Sequence, residues 1–250
     1  MSLKSIRRAG FDTETTSPDP ETARIVTAAL VFRGGNKPAQ DYTWLINPGV
    51  EIPAEATAIH GITTEQAQAE GQDPKVALEE IADMLTRAIA YGMPIVAFNL
   101  SFDWTVFDRD LRRHGLAPMT ERLVGIAAPA LIDPHVIDKQ VDRYRKGSGM
   151  RKLQPTADVY GIEITDWHTA QADALAALLI AEAQFERYPW LADRGPAGLY
   201  EAQQTWRREQ QAGLQEWFRT KATPEQGGDP DKVIDGSWPM RPFPMTAVTS

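Results

Sequence analysis

Four carboxylates and one histidine in this 250-residue chain have the types and spacing for metal-assisted chemistry. Asp12 and Glu14 stand one residue apart in Phe11-Asp12-Thr13-Glu14-Thr15-Thr16. If that stretch closes a strand, side chains two residues apart leave the same face and the two acids point together. Like charges held so close repel unless a cation sits between them or one of them takes up a proton. The pair is therefore a candidate divalent-metal site, with a solvated acidic strand end as the plainer alternative. Asp103, in Asn99-Leu100-Ser101-Phe102-Asp103-Trp104, and Asp173, in Trp167-His168-Thr169-Ala170-Gln171-Ala172-Asp173, add two more acids, and His168 precedes the last by five residues.

Composition limits what such a cluster can do. Cysteine is absent, which excludes disulfides, thiolate zinc sites and a cysteine nucleophile, and fits a reducing compartment. Any metal must be held by carboxylates or by the four histidines. A net charge of -8 argues against a protein that coats nucleic acid, because that binding rests on phosphate neutralisation. It is compatible with an enzyme that engages only a strand end, since hard cations in an oxygen-lined site offset its acidity in use. No run approaches the ~20 apolar residues of a membrane helix. The longest, Val124 to Ile132, contains Pro129, and Met1-Ser2-Leu3-Lys4 leads into no signal-peptide core. The expectation is a cytoplasmic protein.

The elements that must position these residues follow from local pattern. Ser5 to Asp12 predicts a first strand, Ile25 to Phe32 a second and Asp41 to Ile46 a third. Turns at Ser17-Pro18-Asp19-Pro20 and Gly34-Gly35-Asn36 join them as an antiparallel meander. A short helical stretch leads to Ile59-His60-Gly61-Ile62-Thr63, where Thr63 is a candidate N-cap and His60 by default a structural histidine. Asp73-Pro74 opens a helix, since Asp caps and Pro suits the first helical position. Val76, Leu78, Ile81, Ala82, Leu85 and Ile89 continue it at helical spacing, and Gly92 closes it. Pro94 to Phe98 predicts a short buried strand, and Ser101 a cap for a helix running to about His114. Asp103 then stands in the first turn of that helix, at the carboxyl end of a parallel strand, where open α/β sheets place ligands.

Ala130 to Asp133 predicts a fifth strand, followed by a helical stretch from Val136 to Tyr144. Lys139, Arg143, Arg145, Lys146, Arg151 and Lys152 face Asp142 alone between residues 139 and 152, a local inversion of charge. Gly147-Ser148-Gly149 makes this a basic loop suited to phosphates. A helix from Leu153 to Tyr160 ends at Gly161, and Thr169 caps a long apolar helix reaching Tyr188. His168 then lies in the loop before Asp173. Residues five apart on one helix would diverge by about 140°, a constraint that a loop histidine escapes. Beyond Pro189 the chain predicts a charged helix from Pro196 to Lys221, then a Pro/Gly-rich stretch from Gly227 to Pro244 whose Trp238 and Phe243 can pack on the body.

In this order the three motifs, with His-x4-Asp in the last, resemble the histidine subtype of the DEDD superfamily of 3′-to-5′ exonucleases. That group includes proofreading subunits of replicative DNA polymerases. The resemblance covers about Ser5 to Arg187 and also takes in Ile59 to Thr63. It implies a ribonuclease-H-like α/β fold: a mixed five-stranded sheet of three antiparallel and two parallel strands with helices on both faces. Residues 1–189 would form the exonuclease domain, with 190–250 a helical and Pro/Gly-rich C-terminal extension packed on it.

The activity implied is hydrolysis of single-stranded nucleic acid, DNA favoured over RNA, from its 3′ end to nucleoside 5′-monophosphates. The cofactors implied are two Mg²⁺ or Mn²⁺ ions, which oxygen ligands suit. By the resemblance Asp12 bridges both ions, Glu14 and Asp173 serve the water-activating one, and Asp103 serves the other. His168 is the implied general base, a task that suits histidine because its ordinary pKa lies near operating pH. Backbone at Thr13 and Thr15 would hold the terminal nucleotide, Phe102 would wedge bases, His60 would lie near the terminal base or sugar, and Arg145 and Lys146 would meet upstream phosphates. A DNA polymerase or replication partner is also implied. Two other readings compete: a haloacid-dehalogenase-like phosphatase with Asp12 as nucleophile, and a non-catalytic nucleic-acid-binding or polymerase-accessory subunit.

Overall fold

The β-branched and apolar runs form five strands: β1 (Arg8–Thr15), β2 (Ile25–Arg33), β3 (Gln40–Leu45), β4 (Ile95–Val96) and β5 (Leu131–Ile132). The computed structural model describes residues 2–126, 128–145 and 147–243. The strands make one sheet in the order β3-β2-β1-β4-β5, with β1 to β3 antiparallel and β4 and β5 parallel to β1. The helices are α1 (Ala54–His60), α2 (Thr64–Glu70), α3 (Pro74–Ala90), α4 (Leu100–Arg113), α5 (Met119–Arg122), α6 (Pro134–Val141), α7 (Leu153–Val159), α8 (Ala170–Arg187), α9 (Trp190–Asp193) and α10 (Gly195–Thr220).

Alternation along β1 assigns its two faces. Phe11 turns to α4, meeting Trp104 and Phe107 edge-on at 6.3 and 5.9 Å between ring centroids. Gly10, on the opposite face, lies against α8. A Cβ there would stand 2.3 Å from the carbonyl oxygen of Ala174, so only glycine lets helix and strand approach this closely. Alanines at 170, 174, 176, 177 and 181 give α8 the small surface that this approach needs. Its partners on the sheet include Ala29 and Val31 of β2.

Several boundaries differ from the sequence expectation. β1 begins at Arg8 and runs through Thr15, so Asp12 and Glu14 lie inside the strand, with an irregularity between Glu14 and Thr15 that re-aims its end. The two parallel strands are only two residues each. Ser101 does not cap α4. The chain turns there at Asn99, whose φ of 61° is left-handed and tolerated by asparagine, and Ser101 is buried within the first turn. The helix after β5 starts at Pro134 and ends at Val141, because Asp133 caps it by accepting from the N–H groups of His135 and Val136. Thr63, Asp73 and Thr169 cap as their sequence contexts predict.

The chain beyond Pro189 is tied into this sheet. Gln203 of α10 is buried and uses its side-chain amide as a strand would: it accepts from the N–H of Asp133 at 2.7 Å and donates to the carbonyl of Leu131 at 2.9 Å. The exposed edge of β5 is thereby covered. Leu199, Trp206 and Trp238 join the main hydrophobic core, and Trp238 also donates to Asp133 at 3.3 Å. The strap that follows runs along α4, where the guanidinium of Arg112 lies 4.4 Å from the ring centroid of Phe243.

Candidate metal centre

Three elements deliver four carboxylates to one end of the sheet. Asp12 and Glu14 leave the α8 face of β1 together, and Asp173, in the first turn of α8, comes down over them. Oxygen atoms of Asp12, Glu14 and Asp173 all lie within 4.8 Å of one another. Asp103, in the first turn of α4, is buried and held in place by Thr13, whose N–H and hydroxyl donate to its Oδ1 at 3.1 and 2.7 Å. Among the neighbouring charges, that of Asp103 acts most strongly on Asp12.

These carboxylates are electrostatically unsatisfied. Burial, then Asp173 and Asp103, push the Glu14 carboxyl up to about 8. Burial, then the charges of Asp103, Glu14 and Asp173, raise Asp12 well above the ordinary carboxylate range. Burial also raises Asp103, opposed by its hydrogen bonds from Thr13. Asp173 is raised by burial and partly relieved by the hydrogen bond from the N–H of His168. A hard divalent cation supplies the charge that such a cluster lacks, and an all-oxygen donor set is the kind that Mg²⁺ or Mn²⁺ takes. The residues present therefore fit a divalent metal.

His168 stands beside the cluster rather than in it. It is exposed, adopts a φ of 69° in the loop before α8, and its N–H donates to Asp173 Oδ1 at 3.4 Å. It lines a groove of about 240 Å³ together with His60, which is set against the backbone of Thr15 at the end of β1. His60 Nδ1 accepts from the N–H of Ile62 at 3.1 Å, while its Nε2 is buried with no partner among the described residues. Burial lowers its pKa.

The remaining predicted residues divide. Thr15 stays at the mouth of the site, its hydroxyl donating to the carbonyl of Ser17 at 3.0 Å. Phe102 is half-buried and lines a cavity of about 190 Å³ with Asn99, Ser101, Arg207 and Arg241. Thr13 spends its N–H and hydroxyl on Asp103, which gives it a positioning role. Arg145 differs from a free phosphate ligand. It pairs with the fully buried Asp138, which Arg151 shares at 2.8 Å, because that carboxylate needs compensation inside the fold. Lys146 lies outside the described residues. The glycine at position 10 is a residue that pattern reading passed over, although a glycine inside a strand signals close backbone approach.

The sheet order and the acidic cluster together define a ribonuclease-H-like nuclease fold. A family model described as Exonuclease (RNase_T) matches residues 9–181, and the chain belongs to this exonuclease family, a branch of the DEDD superfamily. The match takes in the sheet, α4 and most of α8, and leaves α9 and α10 outside it.

Among solved structures the fold is similar to E. coli exonuclease I in complex with a dT13 oligonucleotide, at 20% identity and a TM-score of 0.61, covering 75% of this chain and 42% of that one. It is similar to the zinc-bound E. coli exonuclease I complex with single-stranded DNA, at 18% identity and a TM-score of 0.63, covering 87% and 47%. It is also similar to the moderately thermophilic exonuclease I of Methylocaldum szegediense, at 21% identity and a TM-score of 0.59, covering 86% and 46%. The chain thus spans less than half the length of these exonuclease I chains. A search of curated proteins gives no match.

Proposed function

We propose that this chain is a metal-dependent 3′-to-5′ exonuclease of the histidine subtype, hydrolysing single-stranded nucleic acid, DNA in preference to RNA, to nucleoside 5′-monophosphates. The observation that carries the reading is the convergence of Asp12, Glu14 and Asp173 within 4.8 Å, with Asp103 anchored beside them by Thr13. The family match removes the haloacid-dehalogenase reading of Asp12. E. coli exonuclease I, similar in fold, binds single-stranded DNA in its complexes, the substrate class proposed here.

Asp12, Glu14 and Asp173 would hold a divalent ion, and Asp103 beside Asp12 would serve a second. When bound, the ions supply Lewis acidity: they favour loss of a proton from the attacking water and offset charge on the leaving oxygen. The chain's own residues do the rest. Thr13 fixes the rotamer of Asp103, and the N–H of His168 fixes Asp173. His168, free of the cluster and open to solvent, accepts the proton of the attacking water. The new bond joins that water oxygen to phosphorus, the P–O3′ bond breaks, O3′ of the shortened strand takes a proton from solvent, and the phosphate leaves on the 5′ oxygen of the released nucleotide. Thr15 and His60 meet the terminal nucleotide at the end of β1, and Phe102 packs against the bases. Residues 1–189 would form the catalytic unit, with the described part of the C-terminal extension, residues 190–243, packed on it.

The experiment that tests this reading follows 5′-labelled single-stranded DNA and RNA, beside a covalently closed single-stranded circle, in Mg²⁺. The expected result is a ladder of products shortened one nucleotide at a time, faster on DNA, with the circle intact. Efficient cutting of the circle would overturn an end-dependent reaction.

A further inference from the structure

A groove of about 1160 Å³ opens between α10 and the chain that links α6 to α7. One wall carries Lys139, Arg143, Arg145 and Arg151, and the other carries Leu214, Trp217 and Phe218 of α10. Trp217 and Leu214 are 37% and 39% exposed, unusual for large apolar groups that face a row of cations. Arg151 and part of Arg145 are spent on Asp138, but Arg145 Nη1 has no partner among the described residues, and Lys139 and Arg143 make no ion pair among them. Burial, then the charge of Arg207, push the Lys139 ammonium down to about 8, opposed by Asp133 and Asp138. Glu209 is the acid on the groove wall.

Arg207, whose charge Lys139 feels, also lines the smaller cavity where Asn99, Ser101, Phe102 and Arg241 meet, and Phe102 adjoins Asp103. From Arg207 to Trp217, α10 runs about 15 Å at its ~1.5 Å rise per residue. Cations that track a backbone, interleaved with rings on which bases stack, are what single strands of nucleic acid bind without sequence preference.

We propose that this groove is the track of the single strand upstream of its 3′ end, with Lys139, Arg143 and Arg207 on the phosphates and Trp217 stacked on a base. The segment beyond the family-matched residues thereby gains a function: α10 supplies the second wall of the substrate path. The inference rests on the exonuclease reading for the direction of the strand, and its test separates the two.

Binding of (dT)20 is measured by fluorescence anisotropy in EDTA for the wild type, Trp217→Ala and Arg143→Ala, both exposed positions. Trp217→Ala is expected to raise Kd roughly five- to one-hundred-fold, the range for loss of one base–aromatic stack. Arg143→Ala is expected to flatten the log–log salt dependence by roughly 0.7, one single-strand phosphate contact. Turnover of the nitrophenyl ester of thymidine 5′-monophosphate, too short to reach the groove, stays at the wild-type rate in both variants. An unchanged Kd and salt slope in both variants would overturn the track, as would equal losses on the short ester and on (dT)20. If the wild type hydrolyses neither substrate yet Trp217→Ala still weakens binding, the exonuclease reading falls and the track stands.

Discussion

Glu14 shows at the scale of a residue what the site asks of its surroundings. Its carboxyl is ordinarily half-protonated near pH 4.5, and in the fold this moves up to about 8, first by burial and then by Asp173 and Asp103. A folded state that holds the proton more tightly than the unfolded one is favoured at low pH, and its advantage is lost as pH rises from the unfolded value through the folded one. In EDTA the melting temperature is therefore expected to fall between about pH 5 and 8, and Glu14→Gln to flatten that slope. Added Mn²⁺ should raise the melting temperature more at pH 8 than at pH 5, because ligands must be deprotonated to bind it. A slope unaffected by Glu14→Gln would show that the cluster is not under this strain.

His168 is separable from the ligands because it stands in the loop and touches Asp173 through its main chain. His168→Asn is expected to leave metal and strand binding near the wild-type level while turnover falls by roughly 10²–10⁴-fold, as loss of a general base does. Binding that fell in step with turnover would instead make His168 a structural or ligating group.

At the scale of elements, the question is what brings β1, α4 and α8 to one point. Gly10 is the pivot of the β1–α8 contact, with no room for a Cβ beneath Ala174. Gly10→Ala is expected to cost about 1–3 kcal/mol, as overpacking does, and to weaken Mn²⁺ affinity by lifting Asp173 away from Asp12. Gly198→Ala, where a Cβ meets Arg194 at an ordinary 3.6 Å within α10, should leave metal affinity alone and slightly raise stability. Calorimetric melting and Mn²⁺ titration of the two variants decide this, and equal metal affinity in both would contradict a pivot role for Gly10.

Much of this scale was legible in the sequence because it is locally encoded. Caps at Thr63, Asp73 and Thr169 sit within three residues of the N–H groups that they serve, and period two along β1 is enough to pair Asp12 with Glu14. What the sequence hid is long-range. Asn99 takes the turn that a local reading gives to Ser101, because its N–H is drawn to Asp133 at 3.0 Å, thirty-four residues on. The basic loop could not reveal that Arg145 and Arg151 turn inward, since that depends on the complete burial of Asp138.

At the scale of the whole molecule, α10 finishes the sheet rather than standing apart from it. Gln203 satisfies a donor and an acceptor on the edge of β5, so Gln203→Leu, close in volume, leaves both unpaired in a buried place. The expected cost is about 1–3 kcal/mol for each buried group left unsatisfied, read as a melting temperature lower by several degrees. No change would show that water reaches that edge.

The same arrangement gives one molecule two regions of opposite sign, an acidic end of the sheet and a basic groove along α10, within a chain of net charge -8. The acids select cations and the groove selects phosphates, so the central claim is that metal held at Asp12 drives hydrolysis of the strand. The most direct test is the rate of nucleoside 5′-monophosphate release from a uniformly labelled single-stranded oligonucleotide in Mg²⁺, compared for the wild type, the wild type in EDTA and Asp12→Asn. The account predicts release by the wild type and none above background in the other two. Undiminished release in EDTA or by Asp12→Asn would contradict it.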